Sequence, residues 1–257
     1  MSTDLGVGTL KSSYYGELCT KMYESDKSMA EGAELDFFLA FAGKEGLRVL
    51  EPMCGNGRML LPLLQRGIDI EGFDLSEDML AACREKALRM GLRPKLSRQS
   101  LEEFRSGSKY GLILIPFGSF SLLPEDLVDA SLRRLNDVLE VDGKLLLTIV
   151  LKQGEPEASS DESILKNEFE DETIMQRKRT EYDPERSVLH TRLLYELRRD
   201  GITLQREQMD YSLRLYAKDE FQQRLYANGF GQVTVHEVKD GYGPGADCHV
   251  FECLKSG

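Results

Sequence analysis

The sequence predicts an α/β protein built on a Rossmann-like, mainly parallel sheet of seven strands with helices on both faces. Three observations support this fold class. Between Leu47 and Leu151, apolar strand-like runs alternate with amphipathic helical segments, which is the order typical of a parallel sheet. Residues 172–216 instead have alternating strands joined by short turns, which predicts an inserted antiparallel β-sheet. Residues 231–254 have the pattern of a C-terminal antiparallel hairpin.

The N-terminal segment from Ser12 to Gly43 is predicted to be helical, because its apolar residues recur at helical spacing. The positions expected to be buried are Leu18, Met22, Met29, Phe37, Phe38 and Phe41. Residues 47–52, Leu-Arg-Val-Leu-Glu-Pro, then predict the first strand of the main sheet. A helix is expected from Arg58 to Gly67, where the glycine ends the apolar repeat.

The rest of the parallel sheet follows in strand–helix order. Ser76 is a suitable N-cap, and Gly91 a suitable stop, for the helix after the second strand. The fourth strand is apolar throughout, as expected of a central parallel strand. The predicted elements are strands at 68–74, 94–99 and 110–117, a strand that begins at Gly143, and helices at 75–91 and 122–139, the latter with Pro124 near its start.

A polar loop at 154–163 separates this sheet from the predicted insertion. Three antiparallel strands are expected at 173–182, 187–197 and 202–216. Because so few strands rarely fold alone, they are expected to lie against the main sheet or against a partner subunit. A helix at 219–228 then precedes the terminal hairpin.

These elements predict three units. Residues 1–46 form an N-terminal helical lid. Residues 47–151 and 217–257 form the cofactor-binding domain. Residues 152–216 form a β-rich insertion that serves as a substrate lid or as the interface of a homodimer.

The composition argues against nucleic acid as a partner. The chain of 257 residues has 33 Lys and Arg against 44 Asp and Glu, a formal net charge of −11. Binding to a phosphate backbone depends on a basic surface that this balance does not provide. No apolar run is long enough to span a membrane and no secretory signal is visible, so the protein is predicted to be cytoplasmic.

The five cysteines form no Cys-x-x-Cys pair, which favours a reduced protein without disulfides or zinc. Cys248, His249 and Cys253 cluster in the sequence, but their spacing matches no common metal signature, and alternation within a strand explains it equally well. No metal site is predicted.

Four residues point to a nucleoside site. Glu51 ends the first strand, Gly55 and Gly57 lie in the turn that follows, and Asp74 ends the second strand. Glycines let a ligand approach the backbone closely, and a carboxylate can accept hydrogen bonds from both ribose hydroxyls. The alternative is a tight strand–helix turn with an exposed loop acid. Leu60 stands where a dinucleotide motif has its third glycine.

The segment from Glu51 to Gly57, Glu-Pro-Met-Cys-Gly-Asn-Gly, resembles the first motif of class I S-adenosylmethionine-dependent methyltransferases. Residues 73–80, Phe-Asp-Leu-Ser-Glu-Asp-Met-Leu, resemble their second motif. The likeness extends to Met-Tyr-Glu around Tyr23, to residues 116–123 and to residues 218–230. The inserted strands resemble those of amino-sugar N-methyltransferases within the small-molecule branch.

The resemblance implies a role for each matching residue. Met53, Cys54, Gly55, Asn56 and Gly57 would face the methionine part of S-adenosylmethionine, with Glu51 near its ammonium group. Asp74 would hold the ribose, and Leu75 and Met79 would flank the adenine. Pro116 and Phe117 would line the floor near the sulfonium, and Tyr23, with Tyr14 or Tyr15, would lie over the site. Gln99, Ser100 and Leu101 replace the acidic residue that usually accepts from the adenine amine. Cys54 and Tyr23 could equally be packing residues.

The expected reaction is in-line methyl transfer to the N or O atom of a metabolite, with S-adenosylhomocysteine as product. His249, His190 and Tyr23 are weak candidates for a general base, and none is assigned. Residues 115–118, Ile-Pro-Phe-Gly, lack the motif typical of methylation of nucleic-acid bases or protein side chains, which favours a small molecule. An NAD-type oxidoreductase and a non-catalytic cofactor-binding or dimerising protein of the same fold remain as alternatives.

Overall fold

The structure is a computed structural model that describes residues 10–154, 156 and 162–256. In this part of the chain the strands are β1 (Leu10–Ser12), β2 (Arg48–Pro52), β3 (Asp69–Asp74), β4 (Lys95–Arg98), β5 (Tyr110–Ile115), β6 (Leu139–Thr148), β7 (Ser163–Phe169), β8 (Glu172–Asp183), β9 (Val188–Arg199), β10 (Ile202–Arg214), β11 (Phe230–Val238) and β12 (Cys248–Lys255). The helices are α1 (Glu17–Asp26), α2 (Gly32–Ala42), α3 (Leu60–Gln65), α4 (Glu77–Arg89), α5 (Glu125–Val138) and α6 (Lys218–Ala227). A short 3-10 helix, Ser119–Leu122, follows β5.

The main sheet has seven strands in the order β4-β3-β2-β5-β6-β12-β11. Strands β2 to β6 pair with one another in parallel, whereas β12 is antiparallel to both β6 and β11. The predicted mainly parallel sheet with a C-terminal antiparallel hairpin is therefore confirmed. Because parallel strands end at one edge, the segments after β2, β3, β4 and β5 lie side by side.

Alternate residues of the central strands enter two separate apolar cores. Ile113 and Leu145 point to one face and pack with residues of α5 and α6. Leu112 and Leu146 point to the other face and pack with residues of α2, α3 and α4. Burial on both faces explains why the sequences of these strands are continuous apolar runs. The two cores also confirm the predicted helices on both faces of the sheet.

The second sheet has five strands in the order β1-β10-β9-β8-β7. Strands β8, β9 and β10 are the three that the sequence predicts, whereas β1 and β7 at the edges were not predicted. The side chains of β7 are mostly exposed, so no polar–apolar alternation marks it. Strand β1 is only three residues long and pairs with β10 in parallel. The N-terminal segment thus contributes one strand to the second sheet.

A third apolar core joins α1 to the second sheet. Leu18, Cys19 and Met22 of α1 pack against Tyr195 of β9 and Met209 of β10. The inserted sheet therefore buries its inner face against the N-terminal helix of the same chain. A sheet of so few strands needs such a packing surface, and α1 provides it.

The prediction of one helix from Ser12 to Gly43 is wrong. Helix α1 ends at Asp26 and α2 begins only at Gly32, which takes a φ of +58° outside the helical region. The carbonyl of Lys27 accepts a hydrogen bond from the Asn56 side chain at 3.3 Å. The Ser28 carbonyl accepts one from Lys86 at 2.5 Å. These distant donors satisfy carbonyls that a continuous helix would have bonded internally.

Several element bounds also differ from the prediction. Helix α3 is shorter than the expected 58–67. Strand β6 begins at Leu139 rather than Gly143, because Leu139 already pairs with Tyr110 and an irregular register follows. Most of the predicted polar loop at 154–163 lies outside the described residues, and β7 begins at its last residue.

The described residues contain neither a membrane-spanning helix nor a metal-binding cluster. No helix there is long and apolar enough to cross a bilayer. No group of three His, Cys, Asp or Glu side chains is arranged to hold a metal ion. All five cysteines are buried and unpaired.

Candidate functional site at the carboxyl ends of the parallel strands

A cavity of about 740 Å³ opens where the parallel strands end. Its wall is formed by the segments after β2, β3, β4 and β5, by the segment around the start of α1, and by β8, β9 and β10 of the second sheet. This is the edge of an open α/β sheet at which ligands bind. The predicted cofactor residues that line it are Tyr23, Glu51, Met53, Cys54, Gly55, Asn56, Asp74, Leu75, Met79, Gln99, Ser100, Leu101, Pro116 and Phe117.

The turn after β2 presents open backbone to this cavity. Gly55 has a φ of +51°, and a Cβ built on it would meet no atom within 4 Å. Its N–H donates to Oδ2 of Asp74 at 2.8 Å. The turn and the acid at the tip of β3 are therefore one hydrogen-bonded unit.

Asp74 also accepts a hydrogen bond on Oδ1 from the backbone N–H of Ser76 at 2.8 Å. Burial raises the pKa of the Asp74 carboxyl, and the backbone N–H groups of Ser76, Gly55 and Leu75 act against that rise. A carboxylate offers about four acceptor positions. Asp74 therefore keeps acceptor capacity toward the cavity, as two vicinal hydroxyls require.

Glu51 is the most deeply buried acid of the cavity. It is 2% exposed, and within the described residues its Oε2 atom has no hydrogen-bond partner. Burial raises the pKa of its carboxyl well above the ordinary value, the charge of Glu34 adds to the rise, and Arg58 opposes it. A buried carboxylate with a free oxygen is stabilised by a cationic donor. Glu51 therefore fits a ligand that brings an ammonium group.

Two bulky residues at the strand tips adopt left-handed backbone conformations. Met53 after β2 has a φ of +56°, and Phe117 after β5 has a φ of +60°. Such conformations are costly for residues other than glycine and concentrate at functional sites. The Phe117 ring packs edge-on against Tyr242 with a centroid distance of 5.3 Å. These contacts hold the ring at the cavity wall.

Arg58 is a cavity residue that the sequence reasoning missed. Its guanidinium carbon lies 4.4 Å from the centre of the Phe117 ring, and its Nη1 pairs with Glu34 of α2. The sequence did contain a signal for Arg58. It places a positively charged residue directly after the second glycine, at the start of a helix, where acidic residues are favoured. Such a residue needs another partner, which here is Glu34.

Three tyrosines around α1 cover part of the cavity. The rings of Tyr14 and Tyr15 are 4.9 Å apart, and those of Tyr15 and Tyr23 are 6.4 Å apart. Burial raises the pKa of all three hydroxyls. At neutral pH these groups therefore act as proton-bearing donors rather than as bases.

A buried polar network holds α1 against the glycine turn. Glu24 of α1 accepts hydrogen bonds from the Asn56 side chain and from Lys86 of α4, the latter at 2.8 Å. Because Asn56 is 1% exposed and its amide is bound to Glu24, it acts as a tether between turn and helix. Ser76 adds a second link by donating to the carbonyl of Tyr15 at 2.7 Å.

The segment after β4 is only partly available to a ligand. Leu101 is buried at the cavity wall. The Gln99 side chain is already occupied, since it donates to Ser97 at 2.9 Å and accepts from the Arg105 N–H at 3.3 Å. Ser100 has a buried hydroxyl without a partner among the described residues. Of the two predicted polar contacts to adenine, Ser100 is thus the uncommitted one.

The second sheet borders the cavity around Thr191 and Tyr211. Thr191 is 4% exposed, and Tyr211 packs against the core shared with α1. Arg192 and Asp210, which pair with each other at 2.9 Å, also line the cavity. The same strands contribute Arg179, Glu181, His190 and Ser212 to the lining. The insertion therefore presents charged and polar residues to a ligand in addition to Thr191 and Tyr211.

Some predicted residues are not brought to the site. Gly57 does not line the cavity; a Cβ at Gly57 would lie 2.4 Å from Cys83 Sγ, so the glycine is required for packing against α4. His249 lies opposite Glu237 in the terminal hairpin and is not part of the cavity wall. Tyr211 of β10, which is not among the predicted site residues, lines the cavity, whereas Tyr182, Tyr195 and Tyr216 are buried away from it.

Comparison with known families decides what kind of domain carries this site. A family described as "Methyltransferase domain" matches residues 49–143. Residues 49–143 are thus similar to a methyltransferase domain. The match includes Glu51, the glycine turn and Asp74. A relative from Geobacillus sp. (strain WCH70), named "Putative methyltransferase", is 31% identical over 136 residues, or 49% of this chain and 55% of that protein. The chain thus spans about half the length of this curated relative.

Solved structures resemble the chain over nearly its whole length. The sugar N-methyltransferase KedS8 from Streptoalloteichus sp. ATCC 53650 is 18% identical, with full coverage of both chains and a TM-score of 0.78. The amino pentose methyltransferase CalS10 from Micromonospora echinaspora, solved with S-adenosylmethionine bound, is 15% identical, covers 95% of this chain and 99% of its own, and has a TM-score of 0.67. The predicted class I S-adenosylmethionine-dependent methyltransferase fold is confirmed, including the inserted sheet.

Proposed function

We propose that this protein transfers a methyl group from S-adenosylmethionine to an amine of a small, polar molecule. The observation that carries the proposal is the pair of acids at adjacent strand tips. Glu51 supplies a buried carboxylate oxygen without a partner, and Asp74 supplies a carboxylate anchored by the backbone of the glycine turn. Between them the turn exposes the open backbone at Gly55.

The residues present fit this cofactor. An ammonium group would satisfy Glu51, and ribose hydroxyls would satisfy the remaining acceptor positions of Asp74. Leu75, Met79 and Leu101 supply apolar surface for a purine beyond Asp74. Met53 and Phe117, both held in left-handed conformations, stand at the tips of β2 and β5, where the reacting end of the cofactor would lie.

The cofactor supplies a methyl group that its sulfonium already activates, so the protein has to align the acceptor and exclude water. Tyr14, Tyr15 and Tyr23 cover the cavity from α1. Thr191 and Tyr211 border it from the second sheet. These five residues are the proposed acceptor side, which gives α1 and the insertion the role of a substrate lid.

An amine acceptor is supported by the raised pKa values of the tyrosine hydroxyls that cover the cavity, because hydroxyls that keep their protons at neutral pH are poor bases. The His190 ring, which lines the same cavity, is bound through Nδ1 to Ser212 at 2.9 Å. An amine that reaches the site in its neutral form attacks through its lone pair, and solvent can take the proton from the product. The sugar N-methyltransferase among the similar structures supports the same acceptor class.

A transfer assay tests this proposal. Purified protein would be supplied with methyl-labelled S-adenosylmethionine and with matched acceptors, namely an amino sugar and the same sugar with a hydroxyl in place of the amine. We expect label in the amino sugar only, with a rate that rises with pH as the amine loses its proton. Transfer to the hydroxyl sugar alone, or to neither across a broader pool of small amines, would refute the proposed acceptor class.

A further inference from the structure

Three leucines beyond the tip of β5 indicate what the acceptor carries besides its amine. Leu122, Leu123 and Leu127 line the cavity, and each is half-buried; they form the leucine wall. We infer that the acceptor is an amino sugar joined to an apolar group and carrying no phosphate, with the apolar group packed on the leucine wall. This inference rests on the proposed function, because it names what is attached to the amine.

The leucine wall lies beyond the part of the cavity that the cofactor would use. In the order of the main sheet, Asp74 and Leu101 follow β3 and β4 on one side of β2, whereas the leucine wall follows β5 on the other side. A nucleoside held by Asp74 and packed on Leu101 therefore extends away from the leucines. The wall begins shortly after Phe117, at the proposed reacting end of the cofactor. A group that covers the leucines therefore has to come with the acceptor.

The insertion contributes a polar surface to the same cavity, and its charges are compensated in pairs. Two cross-strand rows of β8, β9 and β10 line the cavity, one formed by Arg179, Arg192 and Asp210 and the other by Glu181, His190 and Ser212. Arg179 pairs with Glu181 at 2.9 Å, and the other four side chains form the two pairs described above. A phosphate placed on these polar rows would meet two carboxylates as well as two guanidinium groups. Sugar hydroxyls can donate to the first and accept from the second.

Direct contacts hold the leucine wall beside the polar rows. Because side chains alternate along a strand, Arg214 lies on the same face of β10 as Ser212, and it pairs with Glu125 at the start of α5 at 2.7 Å. The backbone N–H of Tyr216 also donates to the carbonyl of Val150 at 3.0 Å. The gap between the leucines and the polar rows is therefore a fixed feature of the fold. Apolar surface that faces such a gap is stabilised when an apolar ligand group removes it from water.

Transfer kinetics with three acceptors built on one amino sugar test the inference on the full chain. The acceptors are its methyl glycoside, its hexyl glycoside and its 1-phosphate, and the methyl donor is labelled S-adenosylmethionine. We expect the KM of the hexyl glycoside to be about 10- to 100-fold lower than that of the methyl glycoside, because the longer alkyl chain covers the leucine wall. We expect the KM of the 1-phosphate to be no lower than that of the methyl glycoside.

Leu127→Gln is the informative variant, because glutamine is also a good helix former and makes the leucine wall more polar. For this variant we expect the KM values of the hexyl and methyl glycosides to differ by about threefold or less. Leu127→Met keeps an apolar side chain of similar volume and should retain the native preference. Leu88→Gln, in α4 where Leu88 is 78% exposed, is the matched control and should also retain it.

Three results would overturn the inference alone: equal KM values of the native protein for the two glycosides, a full preference for the hexyl glycoside in Leu127→Gln, or a 1-phosphate with the lowest KM. The last result would mean that the polar rows bind a charged acceptor. Transfer only to amines outside this series would also overturn the inference alone. Transfer to no small amine at all would overturn the proposed function as well. Thermal unfolding of each variant confirms that the compared proteins are folded.

Discussion

Gly55 and Gly57 stand two residues apart in one turn and do different things. Both have positive φ values, +51° and +75°. The missing Cβ of Gly55 leaves open space at the cavity wall, whereas the missing Cβ of Gly57 leaves room for Cys83 and Leu61. The first glycine therefore serves ligand access, and the second serves packing of the turn against α4.

This difference predicts separate effects of alanine at the two positions. Gly57→Ala should lower the free energy of unfolding by about 2–5 kcal/mol, because it combines backbone strain with overpacking. Gly55→Ala should lower it by about 1–2 kcal/mol from strain alone, yet it should weaken binding of S-adenosylhomocysteine more. Urea unfolding and calorimetry measure the two quantities. Equal stability losses would show that Gly57 packs less tightly than the structure indicates.

His249 provides a further prediction for a single residue. The sequence made it a candidate base, but its place in the terminal hairpin is outside the cavity wall. We expect His249→Ala to retain the methyl-transfer rate of the native protein within about twofold. A methyl-transfer rate lower by tenfold or more, with unchanged cofactor binding, would show that His249 takes part in the reaction.

At the scale of elements, α1 depends on a strand far away in the chain. No side chain at its N-terminus caps it. Instead Glu207 of β10, which is 1% exposed, accepts hydrogen bonds from the N–H groups of Leu18 at 3.0 Å and Cys19 at 3.1 Å. Gly16 is required there, since a Cβ would lie 2.7 Å from Glu207 Oε2. The helix that carries Tyr23 is thus fixed by the insertion.

Glu207→Gln should therefore affect both stability and binding. Loss of the charged acceptor should lower the free energy of unfolding by about 1–3 kcal/mol and should raise the dissociation constant for S-adenosylhomocysteine. Glu17→Gln, an exposed acid in the first turn of the same helix, is the control and should change stability by about 0.5 kcal/mol or less. If the two variants changed stability and binding by the same amount, the hydrogen bonds from Glu207 to the start of α1 would not contribute to stability.

The elements of the main sheet were predictable because local pattern and tertiary environment agree there. The apolar run of β5 reflects burial on both faces, and Ser76 caps α4 as expected by accepting from Met79 at 3.1 Å. The break between α1 and α2 was not predictable in this way, because Lys86 and Asn56 satisfy its carbonyls from other parts of the chain. Strand β7 was missed because an exposed edge strand has little pattern.

The same contrast holds for the site. Glu51, Gly55 and Asp74 could be placed from sequence, since the ends of neighbouring parallel strands must meet. Arg58, Thr191 and Tyr211 could not, because their position depends on how α2 and the second sheet pack on the domain.

For the whole molecule, the burial of two acidic side chains in the cavity makes the free energy of unfolding depend on pH. Burial raises the pKa of both Glu51 and Asp74. A carboxyl with a higher pKa in the folded chain than in the unfolded chain binds its proton more tightly when folded. Its contribution to stability is therefore present at low pH and is lost as the pH rises through the folded pKa. Near neutral pH, these two carboxyl groups therefore lower the free energy of unfolding of the ligand-free protein.

Glu51→Gln should remove the Glu51 part of this effect. We expect the variant to be more stable than the native protein at pH 8, by about 1–3 kcal/mol for an unsatisfied buried group. The difference should shrink as the pH falls toward 4.5, the ordinary value for a glutamate carboxyl. Urea unfolding of both proteins across this range measures it. A variant less stable than the native protein at pH 8 would mean that Glu51 has a stabilising partner.

The central claim is that Asp74 and the glycine turn bind the adenosine part of the methyl donor. Calorimetric titration of S-adenosylhomocysteine into the native protein, Asp74→Asn and Asp69→Asn tests it, because the two substitutions lie at opposite ends of β3. We predict binding to the native protein, an affinity lower by about 10- to 100-fold for Asp74→Asn, and an affinity for Asp69→Asn within about twofold of native. No heat of binding to the native protein at millimolar ligand, or equal affinities for native and Asp74→Asn, would contradict the account.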